Sequence, residues 1–224
     1  MFYKRAVRRS ILLAVTVGLL SAGVPLAARG ANEAVILVHG WRGSPGTWAD
    51  MEAFLEGKGR TVHRVALPGQ DNIANAAAIL KFIDDNQLGV VDVVGQSMGG
   101  LSARYLVKTT AGGAAKVDNY VSIGTPQYGI WSACLLTNNA GGQMCPTRSF
   151  LSNLNSGDDT PGSRLWTTIY STSDEVVPNS ASRLDGMACH VKVSGPRHND
   201  MDNNATVMAA VLAGIDGTCV GTMK

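Results

Sequence analysis

The stretch Val90-Val91-Asp92-Val93-Val94-Gly95-Gln96-Ser97-Met98-Gly99-Gly100 constrains this chain more than any other. Four valines around a single aspartate read as a buried strand, because β-branched side chains fit a covered, pleated surface. The run ends in Gly-x-Ser-x-Gly, and helical spacing begins at Met98. So sharp a turn from strand to helix tolerates only small residues two before and two after the serine. The turn holds Ser97 clear of the backbone at a helix N-terminus, where free N–H groups favour negative charge. Such a serine is expected to be a nucleophile. The competing reading is an ordinary glycine turn in which Ser97 caps the helix.

Strand-like and helix-like segments alternate along the rest of the chain. Strands are expected at 34–38, 62–67, 90–94, 120–123, 165–170 and 190–193, with helices at 47–57, 73–83, 98–108 and 205–215. About six strands, apolar on both faces and separated by amphipathic helices, predict an α/β domain. Its sheet is mostly parallel and covered on both sides, in three layers. Ligands bind such sheets at the carboxyl ends of the strands.

The amino terminus reads differently. Lys4, Arg5, Arg8 and Arg9 precede an apolar run from Ile11 to Leu20, and small residues follow from Ala22 to Gly30. This order is that of a secretory signal peptide spanning residues 1–30, cut after Ala28 or Gly30. Residues 31–224 then form one catalytic domain, and the protein is expected outside the cell. The segment carries five basic residues and no acidic one, so losing it takes the formal charge from +2 to −3. No basic stripe is left for nucleic acid. Four cysteines in an exported chain predict disulfides, and sequence-local closure favours Cys134–Cys145 and Cys189–Cys219.

A serine hydroxyl needs a base to take its proton, and the base needs an acid to fix its tautomer. After a turn of this kind the partners follow in the order serine, acid, histidine. Of the two downstream histidines, His190 opens a strand, whereas His198 sits in the loop Gly195-Pro196-Arg197-His198 after the last expected strand. His198 is the expected base. The acid should leave the preceding strand, in Ser171-Thr172-Ser173-Asp174-Glu175. Asp174 is expected there, ahead of Glu175 and the more distant Asp185. An oxyanion needs two N–H donors. Met98, directly after the serine, offers one, and Trp41, in the glycine-flanked loop His39-Gly40-Trp41-Arg42-Gly43, offers the other. His39 precedes the serine and reads as a buried scaffold residue, and His63 reads as structural. Asp200 and Asp202, near His198, show no spacing that demands a metal.

With these residues in place the chain resembles the small secreted bacterial lipases of the α/β-hydrolase fold, most of all the minimal Bacillus-type group. The resemblance runs over nearly all of residues 33–216. It rests on Val38-His39-Gly40, on Gly95-Gln96-Ser97-Met98-Gly99-Gly100, on Ile169 to Asp174 with Ser182 to Gly186, and on Gly195 to His198. It implies ester hydrolysis without a cofactor, with Ser97, Asp174 and His198 as triad and the amides of Trp41 and Met98 as oxyanion donors. The expected partner is a lipid or small ester at a lipid–water interface, and the expected state is a monomer. Two departures stand out. The Bacillus-type group has alanine where this chain has Gly95, and the segment from Ile130 to Asn155 is longer than its minimal counterpart. That segment, with Trp131, Leu135, Leu136, Met144 and Phe150, is expected as either a partial lid and pocket wall or a rigid surface excursion. Trp41, Trp48, Met98, Tyr128 and Trp131 are expected around the pocket. Other uses of the same triad remain open here: short-chain ester hydrolysis, polyester cleavage and acyl transfer. A non-catalytic binding module is the reading from another class.

Overall fold

A strand buried on both faces must be covered on both sides, and β1 (Ala34–Val38), buried at all five positions, is the first to require it. The computed structural model describes residues 34–224, and the signal segment expected over residues 1–30 lies outside them. After β1 come a 3-10 turn at Pro45–Trp48, α1 (Ala49–Glu56), β2 (Val62–Val65), α2 (Asn72–Asp85), β3 (Val91–Gln96) and α3 (Met98–Thr109). The second half holds β4 (Val117–Ile123), α4 (Ser149–Leu154), β5 (Trp166–Ser171), α5 (Asn179–Ser182), β6 (Ala188–Val193), α6 (Ala205–Ile215) and β7 (Thr222–Met223).

The strands form one sheet in the order β2-β1-β3-β4-β5-β6-β7. All neighbours are parallel except β6 and β7. Alternation along the strands divides the core. Val35 and Leu37 face α1 and α6 with Trp48, Met51, Leu55, Val207, Val211 and Ile215. Ile36 and Val38 face α2 and α3 with Ile79, Ile83, Ala103 and Leu106. The three layers are those the alternating pattern predicts.

Register then fixes where the loops emerge. Val38 pairs with Gly95, Gln96 with Ile123, Ile123 with Ile169, and Ser171 with Val193. The segments after β1, β3, β4, β5 and β6 therefore leave the sheet along one edge. The chain order also reverses there, since β2 lies beyond β1 on one side while β4 follows β3 on the other. A crevice forms at such a reversal.

The structure refines several of the expected bounds and adds the short helices α4 and α5. Among the described residues there are seven strands, where about six are expected. The seventh, β7, pairs through only Cys189–Met223 and His190–Thr222, too short a segment for periodicity to show. The first helix starts later than Thr47, because the segment entering it at Pro45–Trp48 is wound as a 3-10 turn. The strand β4 begins at Val117 rather than Tyr120, its start masked by Asp118 and Asn119. Asn119 is buried because Asp92, the one charge in the valine run, is buried opposite it. The Asp92 carboxylate accepts from Asn119 N at 3.1 Å and from Asn119 Nδ2 at 2.8 Å, and Asn119 Nδ2 also donates to Ile215 O at 3.0 Å. The two buried side chains thus partner each other, which lowers the cost of burying either.

The segment from Ile130 to Asn155 is packed rather than splayed. It winds through short 3-10 turns into α4, and Ala133, Met144, Phe150 and Leu151 form a third apolar cluster with Met98 and Leu101 of α3. Cys134 and Cys145 are joined, and Ile130 N donates to Met144 O at 2.8 Å. Gln143 reaches back to α2, its Oε1 accepting from Asn72 N at 2.6 Å and its Nε2 donating to Asp71 Oδ2 at 2.9 Å. The second disulfide, Cys189–Cys219, ties β6 to the carboxyl-terminal segment across 30 residues. Replacing Cys189 and Cys219 together by alanine should cost about 3.6 kcal/mol, read from the urea midpoint, because the unfolded chain regains that loop's entropy.

Candidate active site

The strand-to-helix turn places Ser97 at φ 52° and ψ −126°, a region that residues other than glycine rarely enter. The backbone is held there from both sides: Ser97 N donates to Ile123 O at 2.8 Å, and Gly100 N donates to Ser97 O at 3.1 Å. The flanking glycines leave no choice of residue. A Cβ at Gly95 would lie 2.6 Å from the Gly100 backbone, and one at Gly99 would lie 2.3 Å from Val38 O. One at Gly100 would overlap Thr125 Oγ1. The pattern Gly95-x-Ser97-x-Gly99-Gly100 is therefore a packing requirement.

His198 opens a 3-10 turn (His198–Asp200) after β6, and its Nδ1 lies 2.8 Å from Asp174 Oδ2. Both side chains are buried, at 6% and 1% exposure. A carboxylate only accepts, so the Nδ1 proton donates to Asp174 and Nε2 is left as the acceptor that a base needs. The other oxygen, Asp174 Oδ1, accepts from Val176 N at 2.9 Å and Val177 N at 2.8 Å. Each Asp174 oxygen thus has a donor.

Neither rival acid meets the imidazole of His198. Glu175 is exposed and pairs with Arg197 at 3.3 Å. Hydrogen bonds from its own N–H and from His198 N, with Arg197 beside it, hold its carboxyl below the usual glutamate range. Asp185 and His190 line a separate polar cleft with Ser180, Arg183 and Lys224. His190 Nε2 is 2.8 Å from Leu184 O. His39 is buried with Nδ1 3.0 Å from Gly40 O, as the scaffold reading expects.

Ser97 and His198 line one cavity of about 450 Å³, together with Gly40, Trp41, Met144 and Val176. No hydrogen bond joins the two side chains directly, which is common for such pairs before substrate binds. The loop after β1 closes the other wall. A Cβ at Gly40 would lie 3.0 Å from Ser97 Cβ, so this backbone runs hard against the serine. Gly43 N donates to Gly40 O at 3.0 Å, and Arg42 takes φ 54°, closing a turn with Trp41 at its head. Trp41 Nε1 donates to Ala140 O at 2.8 Å, tying this loop to the stapled segment. Met98 begins α3, where a helix leaves its N–H groups without internal partners.

The apolar residues expected at the pocket divide. Trp41 lines it, whereas Trp48 and Met98 are wholly buried in the core. Tyr128 and Trp131 line a neighbouring cleft of about 550 Å³ that shares Ile130 and Val176 with the cavity. The Tyr128 hydroxyl donates to Asp159 Oδ2 at 2.8 Å, and burial pushes it above the usual phenol range. Asp202 is buried and its carboxyl is raised, chiefly by desolvation. Among the described residues no three His, Cys, Asp or Glu side chains gather as a metal site would need.

Sequence reasoning missed Gly124, which follows β4. At φ 53° its Cβ would lie 3.0 Å from Asp174 Oδ2 and 3.2 Å from His198 Nδ1. A side chain there would be strained by the left-handed backbone and would crowd the pair, and a lone glycine at a strand end is the available signal. Gly124→Ala should lower kcat on a p-nitrophenyl ester by up to about 10-fold, since the pair must give by less than the 1 Å that costs roughly 100-fold. Unchanged kcat would mean that the pair tolerates the methyl group.

The sequence pattern of the alpha/beta hydrolase family matches residues 35–171. Among solved structures, lipase B of Aspergillus fumigatus superposes with a TM-score of 0.74 at 20% identity, covering 87% of this chain and 55% of that one. This chain thus spans about half the length of the fungal lipase. The mature form of the Bacillus licheniformis lipase BlEst2 gives 0.69 at 18% identity, covering 83% and 93%. An alpha/beta hydrolase enzyme from the metagenome of lagoon sediments at Mar Chica, Morocco, gives 0.64 at 18%, covering 82% and 90%.

Proposed function

The chain belongs to the alpha/beta hydrolase family, and from that premise we propose that it is an exported serine hydrolase of carboxylic esters, acting as a triacylglycerol lipase. The observation that carries the reading is the buried 2.8 Å contact between His198 Nδ1 and Asp174, set in the same cavity wall as the strained Ser97. The Ser97 hydroxyl makes no capping hydrogen bond to α3, which disfavours the competing reading of a helix cap.

In the proposed reaction Ser97 Oγ attacks the ester carbonyl while His198 Nε2 accepts its proton. The carbonyl electrons move onto oxygen, which accepts hydrogen bonds from the N–H groups of Met98 and Trp41. One such donor is worth about 2.7–4 kcal/mol in the transition state. Collapse expels the alcohol, which takes the proton back from His198. Water then repeats the sequence on the acyl-enzyme, losing its proton to His198 and releasing acid and free Ser97. Asp174 stabilises the imidazolium in both steps.

Triacylglycerol suits this site better than short esters. The cavity is lined by Trp41, Ile130, Met144 and Val176, and the adjoining cleft offers a second apolar arm. Trp131 and Leu135, 71% and 90% exposed on the stapled segment, suit contact with an acyl-rich surface. Two disulfides accord with export, and among the described residues no helix is long and apolar enough to cross a membrane.

Ser97→Ala should cut turnover by roughly 10⁴–10⁶-fold with the melting curve preserved. A p-nitrophenyl ester series from acetate to palmitate should show kcat/KM rising beyond butyrate. A maximum at acetate would instead make the protein a short-chain esterase.

A further inference from the structure

The second residue of the serine pentapeptide has a task that a strand-end glutamine does not need for folding. Gln96 is 5% exposed, and its Nε2 lies 3.2 Å from the backbone oxygen of His198, 102 residues away. A carbonyl only accepts, so the amide donates. At the other end of the same residue, His198 N donates to Glu175 Oε2 at 3.2 Å. Glu175 also holds Arg197, the residue before His198, through its second oxygen. One residue further back, Ser171 Oγ donates to Pro196 O at 2.6 Å.

We propose that Gln96 and Glu175 are positioning residues that grip the two ends of His198, fixing how far its imidazole can reach toward Ser97. The inference rests on the reading of His198 as base. Asp174 orients the ring, but a ring pivoting on a loose loop would still swing. The two backbone contacts remove that freedom. Gln96 is bonded directly to Ser97 in the chain, so any shift of the turn carries the histidine loop with it. The residue beside the acid does the same from β5. Glu175 thus serves as an anchor of the base rather than as a spare acid.

The test uses the full chain. Gln96→Met keeps the length and loses the donor. It should lower kcat by roughly 10–100-fold with KM changed less than about threefold, as for a misplaced catalytic group. Glu175→Ala should lower kcat less, because the site is exposed, and Glu175→Gln should recover most of that loss, since its amide oxygen still accepts from His198 N. The double variant Gln96→Met/Glu175→Ala should fall short of the product of the single losses, because both act on one residue. The His198 Nδ1 proton resonance should broaden in Gln96→Met through faster exchange with water. That signal reads position without turnover, so it separates the two ideas. Ester hydrolysis retained by Ser97→Ala overturns the parent reading. A wild-type resonance and kcat in Gln96→Met overturn the clamp, as does failure of Glu175→Gln to recover activity. If Gln96→Met does not fold, the exposed Glu175 pair alone decides the outcome.

Discussion

The structure depends on close backbone contact around one strained residue. Ser97 sits in a conformation that costs about 1–3 kcal/mol and persists only where its surroundings over-determine it. Here they do. The strand before it is locked in the middle of the sheet between β1 and β4, and α3 behind it is pressed onto Val38, His39 and Thr125 with no room for a methyl group at Gly99 or Gly100. The glycines let three backbones meet at one point, and that meeting holds the serine at the head of α3, in the wall of the cavity.

The same closeness organises the partners. Parallel strands in register end together, so the loops carrying Trp41, Asp174 and His198 are delivered to one edge before any side chain is chosen. Side chains then refine the placement. Asp174 uses one oxygen for the imidazole and the other for two amides of its own loop, so its orientation is set by backbone. Gly124 leaves the space that the pair occupies. Across the cavity, the Trp41 indole joins the loop after β1 to the disulfide-stapled segment. That segment is itself pinned to α2 through Gln143. The wall facing Ser97 is therefore built from elements far apart in the chain and held by polar contacts at several points.

Features legible in the sequence are those with a local physical signature. Two-face burial shows as valine and isoleucine runs, which located β1 and β3; the tight turn shows as glycines around Ser97. The positions of Asp174 and His198 followed from chain order and from their place after strands, and the cysteine pairs followed from proximity. What stayed hidden has no local signature. Asp92 looks like a flaw in a buried strand until Asn119 appears beside it across the sheet. Gln96 looks interchangeable until the His198 carbonyl appears 3.2 Å away. Trp48 and Met98 looked like pocket residues because a residue's place near a loop end does not say which way its side chain turns; both turn inward. β7 is held by pairing to β6 and a disulfide beside it, not by any propensity of its own two residues.

The central claim is that Ser97 is made reactive by His198. Peptide mapping by mass spectrometry after treatment with a long-chain organophosphonate tests it most directly. The account predicts one adduct per chain, on the peptide containing Ser97, formed far more slowly when His198 is replaced by alanine. An adduct on another serine, or labelling at an undiminished rate without His198, would contradict it.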